Sequence, residues 1–189
     1  SMRLFANTVT CLIFYAVIWL AFLLENLMHF RIGIFPREFI LENLVGIPFS
    51  WLSHVNYAHI AGNSMGFLPI LIAMVIVERD LMKTLCTLAL ASGVATWLLG
   101  GAHTFHLGAS GLIFASMGYI CFSALSRPGY FLALIFAGFY YGLGYFTTIF
   151  SGFVPHGDMS VAGHLGGFIA GIIVSIRQKI VPVIPIRIE

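Results

Sequence analysis

"TLCTLALASGVATWLLGGAHTFHLGASGLIFASMGYICFSALS", residues 84–126, contains no Asp, Glu, Lys or Arg. A helix needs about 20 mainly apolar residues to cross the hydrocarbon of a bilayer. This stretch is therefore too long for one crossing and fits two. The break falls at "GGAHTFHLG", residues 100–108, where Gly and His suit a turn better than lipid. Two helices, about 84–100 and 109–126, connected by that turn, make this an all-α membrane protein.

Outward from this stretch the pattern repeats. Charge-free runs also cover 4–24, 43–77, 128–157 and 159–176. The chain is 60% hydrophobic and 8% charged, against roughly 25% charged in a soluble domain. A β-barrel would alternate polar and apolar residues, and these runs do not. The run 43–77 opens on the Pro-containing, non-periodic "VGIPFSWLSHVNY" and only then becomes helical. The expectation is a single domain over 1–189, a six-transmembrane-helix bundle with spans at about 7–25, 58–77, 84–100, 109–126, 130–150 and 160–180. The first apolar stretch has no small-residue cleavage site after it and is read as a retained helix. The connection 28–57 carries apolar residues among its charges and is read as an amphipathic element lying in the membrane interface.

Six spans put both ends of the chain on one side. That side would hold Arg3, Arg79, Lys83, Arg127, Arg177, Lys179 and Arg187, leaving only Arg31 and Arg37 opposite. The asymmetry predicts cytoplasmic termini. The net charge of +2 then reflects orientation and gives no reason to expect a nucleic-acid partner. Cys11, Cys86 and Cys121 each fall inside a span and form no pairing or metal-binding pattern.

Polar side chains inside spans are costly and usually have a polar partner or a function. Spans 2, 4 and 6 start on the same side, and each carries such groups near its start: His59 and Asn63, then Ser110, then His164. At about 1.5 Å per residue all four lie within roughly 10 Å of one level. His59 and Asn63 are i and i+4 and share a face. His164, Gly167 and Gly171 form one stripe, and Gly167 to Gly171 is a GxxxG that lets a neighbouring helix approach closely. On span 4, Ser110 and Phe114 share a stripe with Gly111 beside it. Small faces on spans 4 and 6 would bring the Ser110 hydroxyl to the His164 imidazole, the minimum for nucleophilic catalysis. Gly108 and Gly111 permit a tight turn, and unpaired amides at the start of span 4 can face a developing oxyanion. The nearest carboxylate, Asp158, is six residues from His164, so the expectation is a Ser–His dyad without a third acid.

"HIAGN" (59–63), "GASG" (108–111) and "GHLGG" (163–167), in this order and at this depth, resemble the rhomboid intramembrane serine proteases. The resemblance covers about 58–171 and matches a minimal six-helix bacterial form with inward termini. It implies Ser110 as nucleophile, His164 as general base, and an oxyanion hole of His59, Asn63 and the Ser110 amide. It also implies close packing of the fourth and sixth spans at Gly167 and Gly171. Its other implications are residence in a bacterial inner membrane and cleavage of single-pass membrane proteins near the outer face, without metal or cofactor. Departures are Phe114 where tyrosine is frequent, the absence of a Trp-Arg pair in the first loop, and the lack of a glycine shortly after Glu78–Arg79.

His54, His103, His106 and His156 gather on the same side as the dyad. They show no HExxH and no i, i+4 pair, so they are read as solvated or backbone-bonded loop residues and not as a metal site. Span 5 is crowded with aromatics, including Phe131, Phe136, Phe139, Tyr140, Tyr141, Phe146 and Phe150. With the loop 151–159 it is a candidate lateral gate. A small transporter would need ionisable groups near the midplane or repeated broken helices, and no span carries a deep acidic residue. A catalytically silent binder of membrane helices is the remaining alternative.

Overall fold

The computed structural model describes residues 1–154 and 160–180. Seven α-helices and no strands are present among them: α1 Met2–Met28, α2 Leu41–Phe49, α3 Tyr57–Val77, α4 Leu81–Leu99, α5 Ser110–Ala124, α6 Pro128–Ser151 and α7 Val161–Ile180. A 3-10 turn, Ser50–Leu52, links α2 towards α3. His156, Asp158 and Arg187 lie outside the described residues, as do the side chains of Tyr140, Tyr141, Phe146, Phe150 and Lys179.

Among the described residues, α1, α3, α4 and Val161–Gln178 of α7 are long and apolar enough to cross a membrane, and α5 is a shorter apolar helix. Their burial is the reverse of a water-soluble bundle. α1 turns Asn7, Thr10, Phe14, Ile18, Phe22 and Glu25 inward and leaves Leu12, Ile13, Val17, Leu20, Leu23 and Leu24 exposed. Polar groups inside and leucines outside suit a hydrocarbon solvent, where an apolar surface costs nothing and an unpaired polar group costs several kcal/mol. The chain is an integral membrane protein.

Helix ends differ from the sequence expectation where polar residues find partners. α1 continues past Glu25 because that carboxylate is buried, accepting from the Ser53 hydroxyl and from the Ile32 amide. α4 starts at Leu81 and not near 84 because Asp80 caps it, accepting from the Lys83 amide at 3.0 Å. The connection between α1 and α3 is more structured than its sequence suggests. Its helix α2 buries Asn43 and Gly46 and exposes Leu41, Leu44, Val45 and Phe49, the amphipathic arrangement expected of an interfacial element. Arg37 ties this connection to the end of α4, donating to the Gly100 and Leu98 carbonyls at 2.6 and 3.2 Å.

The core sits where α3, α4 and α5 meet, around Phe67, Leu71, Met74, Leu88, Leu112 and Tyr119. At one end of the bundle Asn7 donates to the Val75 and Glu78 carbonyls and accepts from the Leu81 amide, joining α1 to the α3–α4 connection. Replacing Asn7 with Leu strands these backbone groups and is expected to cost about 1–3 kcal/mol. Thermal unfolding in detergent would register this as a fall of roughly 2–10 °C, with the activity of the folded fraction retained. An unchanged melting temperature would remove Asn7 from this role. Glu78, Tyr130, Arg127 and the Tyr119–Gln178 pair occupy the same end. The starts of α3, α5 and α7 lie at the other.

Candidate active site

Three helix starts and the loop before α5 build this end. Gly108 carries φ +112, a backbone conformation that only glycine enters without strain. Its amide donates to the Ser50 carbonyl at 3.0 Å. The position is also too crowded for a side chain: a Cβ there would lie 2.7 Å from His59 Cε1 and 3.6 Å from Asn63 Nδ2. The loop backbone therefore rests directly on the two polar residues of α3. Two residues later Ser110 opens α5, with no side-chain cap from Ala109. The first amides of a helix have no intrahelical partner.

α5 and α7 touch through their backbones. A Cβ on Gly171 would lie 1.9 Å from the Ala115 carbonyl oxygen, and one on Gly167 would lie 2.4 Å from that of Gly111. Gly111 in turn faces the Gly163 carbonyl, at 3.9 Å from a Cβ placed on it. Small residues on both helices make this separation possible, and it brings the starts of α5 and α7 side by side.

His164 stands one residue beyond Gly163 and is 5% exposed. Its ring stacks on Phe114, with centroids 4.3 Å apart and planes 19° from parallel. Phe114 is one turn along α5 from Ser110 and also meets Phe153, just past the end of α6, at 5.0 Å. His164 Nδ1 lies 2.8 Å from the Gly152 carbonyl oxygen. A carbonyl only accepts, so Nδ1 carries the proton and Nε2 keeps its lone pair. Asp158, the one carboxylate weighed for this position, lies outside the described residues, and the Gly152 carbonyl holds the ring nitrogen that a triad acid would hold.

Asn63 and His59 are joined by a residue the sequence did not single out for this site. His54 is completely buried. Its ring meets His59 edge-on at 4.9 Å, and its Nε2 accepts from Asn63 Nδ2 at 3.0 Å and from the Ala109 amide at 3.4 Å. Burial, with the neighbouring His59 adding to it, holds the imidazole down to about pKa 4 against the raising effect of the Leu52 carbonyl. The sequence placed His54 among solvated or backbone-bonded loop histidines. Its Nδ1 does face the Leu52 carbonyl oxygen at 3.2 Å, but its contact with Asn63 had no signal beyond its place five residues before His59. His106 pairs with the Thr104 hydroxyl at 2.6 Å, and burial lowers its pKa. His103 sits in the turn with φ 58.

A small cavity of about 30 Å³ opens beside Ser110, with Ser50, Ser92, Thr96, His106 and Ser160 among its lining. Its size suits a single water, which the hydroxyls among its otherwise apolar walls could hold. Among the other serines inside the helices, Ser123 bonds across to Ser175 at 2.7 Å. Ser92 bonds its own helix at the Ala89 carbonyl, and the buried Ser116 hydroxyl has no partner among the described residues. No group of three or more His, Cys, Asp or Glu converges as a metal site among the described residues.

The Rhomboid domain family model matches residues 41–178. The chain is also similar to "Uncharacterized protein Rv1337" of Mycobacterium tuberculosis, 30% identical over 180 residues, covering 87% of this chain and 72% of the relative. A protein of Mycobacterium bovis, "Uncharacterized protein Mb1372", matches to the same extent. "Uncharacterized protein ML1171" of Mycobacterium leprae is 30% identical over 183 residues, covering 91% of this chain and 71% of its own length. With that match running from the first interfacial helix to the end of α7, the chain belongs to the rhomboid family.

Proposed function

We propose that this rhomboid is an intramembrane serine protease that cleaves single-pass membrane proteins. Ser110 is the nucleophile and His164 its general base. The Ser110 amide, Asn63 and His59 form the oxyanion hole. The observation that carries the reading is the tautomer of His164: Nδ1 faces the Gly152 carbonyl oxygen at 2.8 Å, so the proton sits on Nδ1 and the basic lone pair on Nε2. The ring is fixed on Phe114, on a helix whose backbone touches that of α5 one residue past Ser110.

In the reaction the Ser110 oxygen attacks the scissile carbonyl carbon while His164 Nε2 takes the hydroxyl proton. The oxyanion that forms receives hydrogen bonds from the helix-start amide and from Asn63. Collapse breaks the C–N bond and returns the proton from His164 to the leaving amine. Water then attacks the acyl carbonyl and gives a proton to His164. Collapse breaks the bond to the Ser110 oxygen, releases the carboxylic acid and returns that proton from His164 to Ser110, and the cavity beside Ser110 is where such a water would wait. The substrate enters past α6, whose Phe131, Leu132, Phe136 and Phe139 are exposed; residues 155–159 of the candidate gate lie outside the described residues.

The topology belongs to the same proposal. α1, α3, α4, α5, α6 and α7 are the six spans, with the site at the outer leaflet of a bacterial inner membrane and both termini cytoplasmic. The gathering of Arg3 and Arg127 at the end opposite the site supports that orientation. Neither metal nor cofactor takes part.

Asn63→Ala tests the oxyanion assignment. Loss of one such donor costs about 10²–10³ in kcat, so turnover of a transmembrane substrate in proteoliposomes should fall by that factor with the melting temperature little changed. A rate equal to that of the parent would remove Asn63 from the site.

A further inference from the structure

His54 lies outside the residues that the proposed chemistry uses, yet it contacts two of the pieces that chemistry needs. We infer that His54 is a positioning residue for the oxyanion hole, its Nε2 anchoring both the Asn63 amide on α3 and the loop that delivers Ser110. The inference rests on the reading of Asn63 as an oxyanion donor.

The tautomer follows from the contacts. Nδ1 of His54 lies 3.2 Å from the Leu52 carbonyl oxygen, which can only accept, so the proton is on Nδ1 and Nε2 is a pure acceptor. The group of Asn63 that faces it is then necessarily the NH₂, as found at 3.0 Å. That settles which way the amide of Asn63 points. An Asn amide rotates broadly about its last torsion, and a free one would present oxygen or nitrogen to a substrate with similar ease. With one Nδ2 hydrogen held by His54, the second projects about 120° away and remains available. Gly108, where a Cβ would lie 3.6 Å from Asn63 Nδ2, stands two residues before Ser110.

The second contact works on the other helix. The Ala109 amide, immediately before Ser110, donates to the same ring nitrogen at 3.4 Å. One acceptor therefore fixes the donor from α3 and the start of α5 relative to each other. An oxyanion hole stabilises charge because its dipoles are already oriented when the charge forms. The ring suits this task because it stays neutral: it is fully buried and titrates only near pH 4. An imidazolium would have no lone pair for either donor.

The test uses two polar replacements that differ in where they place an acceptor. His54→Gln puts an oxygen near the former Nε2, whereas His54→Asn reaches only to the level of Nδ1. With the full-length protein in proteoliposomes and a fluorogenic transmembrane substrate, His54→Asn should lower kcat about 10–100-fold with KM changed by less than about twofold. His54→Gln should stay within about threefold of the parent kcat. In the Asn63→Ala background His54→Asn should cost much less than it does alone, because the residue it positions is gone. Full additivity of the two substitutions, or equal loss in His54→Asn and His54→Gln with a matching fall in melting temperature, would show a general structural role and overturn the inference. Asn63→Ala alone at the parent rate would instead overturn the oxyanion reading, and the inference with it.

Discussion

Ser110→Ala should reduce cleavage of a transmembrane substrate by about 10⁴-fold or more, and His164→Ala should do nearly as much damage. The magnitude follows from what each residue supplies. Without the Ser110 oxygen no acyl-enzyme can form, and without His164 a serine hydroxyl remains protonated at neutral pH and is a poor nucleophile. Residues that act as one unit lose activity non-additively, so the double variant should be scarcely worse than Ser110→Ala alone. Ser110→Ala should melt close to the parent temperature, since Ser110 is only half-buried. His164→Ala should melt lower, because it empties the place of a buried ring stacked on Phe114 and strands the Gly152 carbonyl, so its activity is compared per folded molecule. The assay is single-turnover cleavage in proteoliposomes. Retention of more than a tenth of parent activity by Ser110→Ala would mean that another group does the chemistry.

The second large effect is steric. Gly171→Val should abolish activity and strongly destabilise the bundle. Even a Cβ at this position would sit 1.9 Å from the Ala115 carbonyl oxygen and 2.8 Å from the Tyr119 amide. These are backbone atoms of α5, so no rotamer change relieves the overlap and the helices must separate. Overpacking a close-packed interior costs about 1–3 kcal/mol in ordinary cases and more where backbone must move. Separation at Gly171 also withdraws α7 from Gly111, and with it the His164 ring from the neighbourhood of Ser110. The expected result is a melting temperature lowered by roughly 5 °C or more, together with lost activity in whatever fraction remains folded. Gly62 makes the control, because nothing lies within 4 Å of a Cβ placed there. Gly62→Ala should leave stability nearly unchanged or raise it slightly. If Gly171→Val melts like the parent, the close α5–α7 seam is not a structural requirement.

Much of this arrangement was legible in residue order because lipid imposes strong rules. Charge-free runs gave the helices, and polar residues near the starts of three of them marked the end of the bundle where the loop, α3, α5 and α7 converge. The i, i+4 spacing of His59 and Asn63 put both on the face that Gly108 meets. The GxxxG of Gly167 and Gly171 anticipated a backbone contact, although only the structure identifies Gly111 and Ala115 as the opposing positions. Phe114, which the resemblance marks only as a phenylalanine where tyrosine is frequent, proves to be the ring that stacks on His164.

Other features left no trace in the sequence, for identifiable reasons. The Gly152 carbonyl that holds His164 is a backbone group, and every residue has one. His54 lies in a short stretch without period, where a buried histidine and a solvated one look alike. Helix α2 was legible only as part of an amphipathic connection over 28–57, because nine residues that include Pro48 are too short a repeat to fix its bounds. Glu25 ended the predicted first span because a carboxylate is costly in lipid. In the structure α1 runs on, because Ser53 and the Ile32 amide meet that carboxylate.

The dyad is tested most directly by reaction with a fluorophosphonate, which traps an activated serine and mimics the tetrahedral intermediate. The detergent-solubilised protein is labelled and the adduct located by mass spectrometry of its peptides. The expected result is a single adduct on Ser110, absent from Ser110→Ala and strongly reduced in His164→Ala. Labelling of a different serine that persists in Ser110→Ala, or no adduct in a preparation that cleaves substrate, would contradict it.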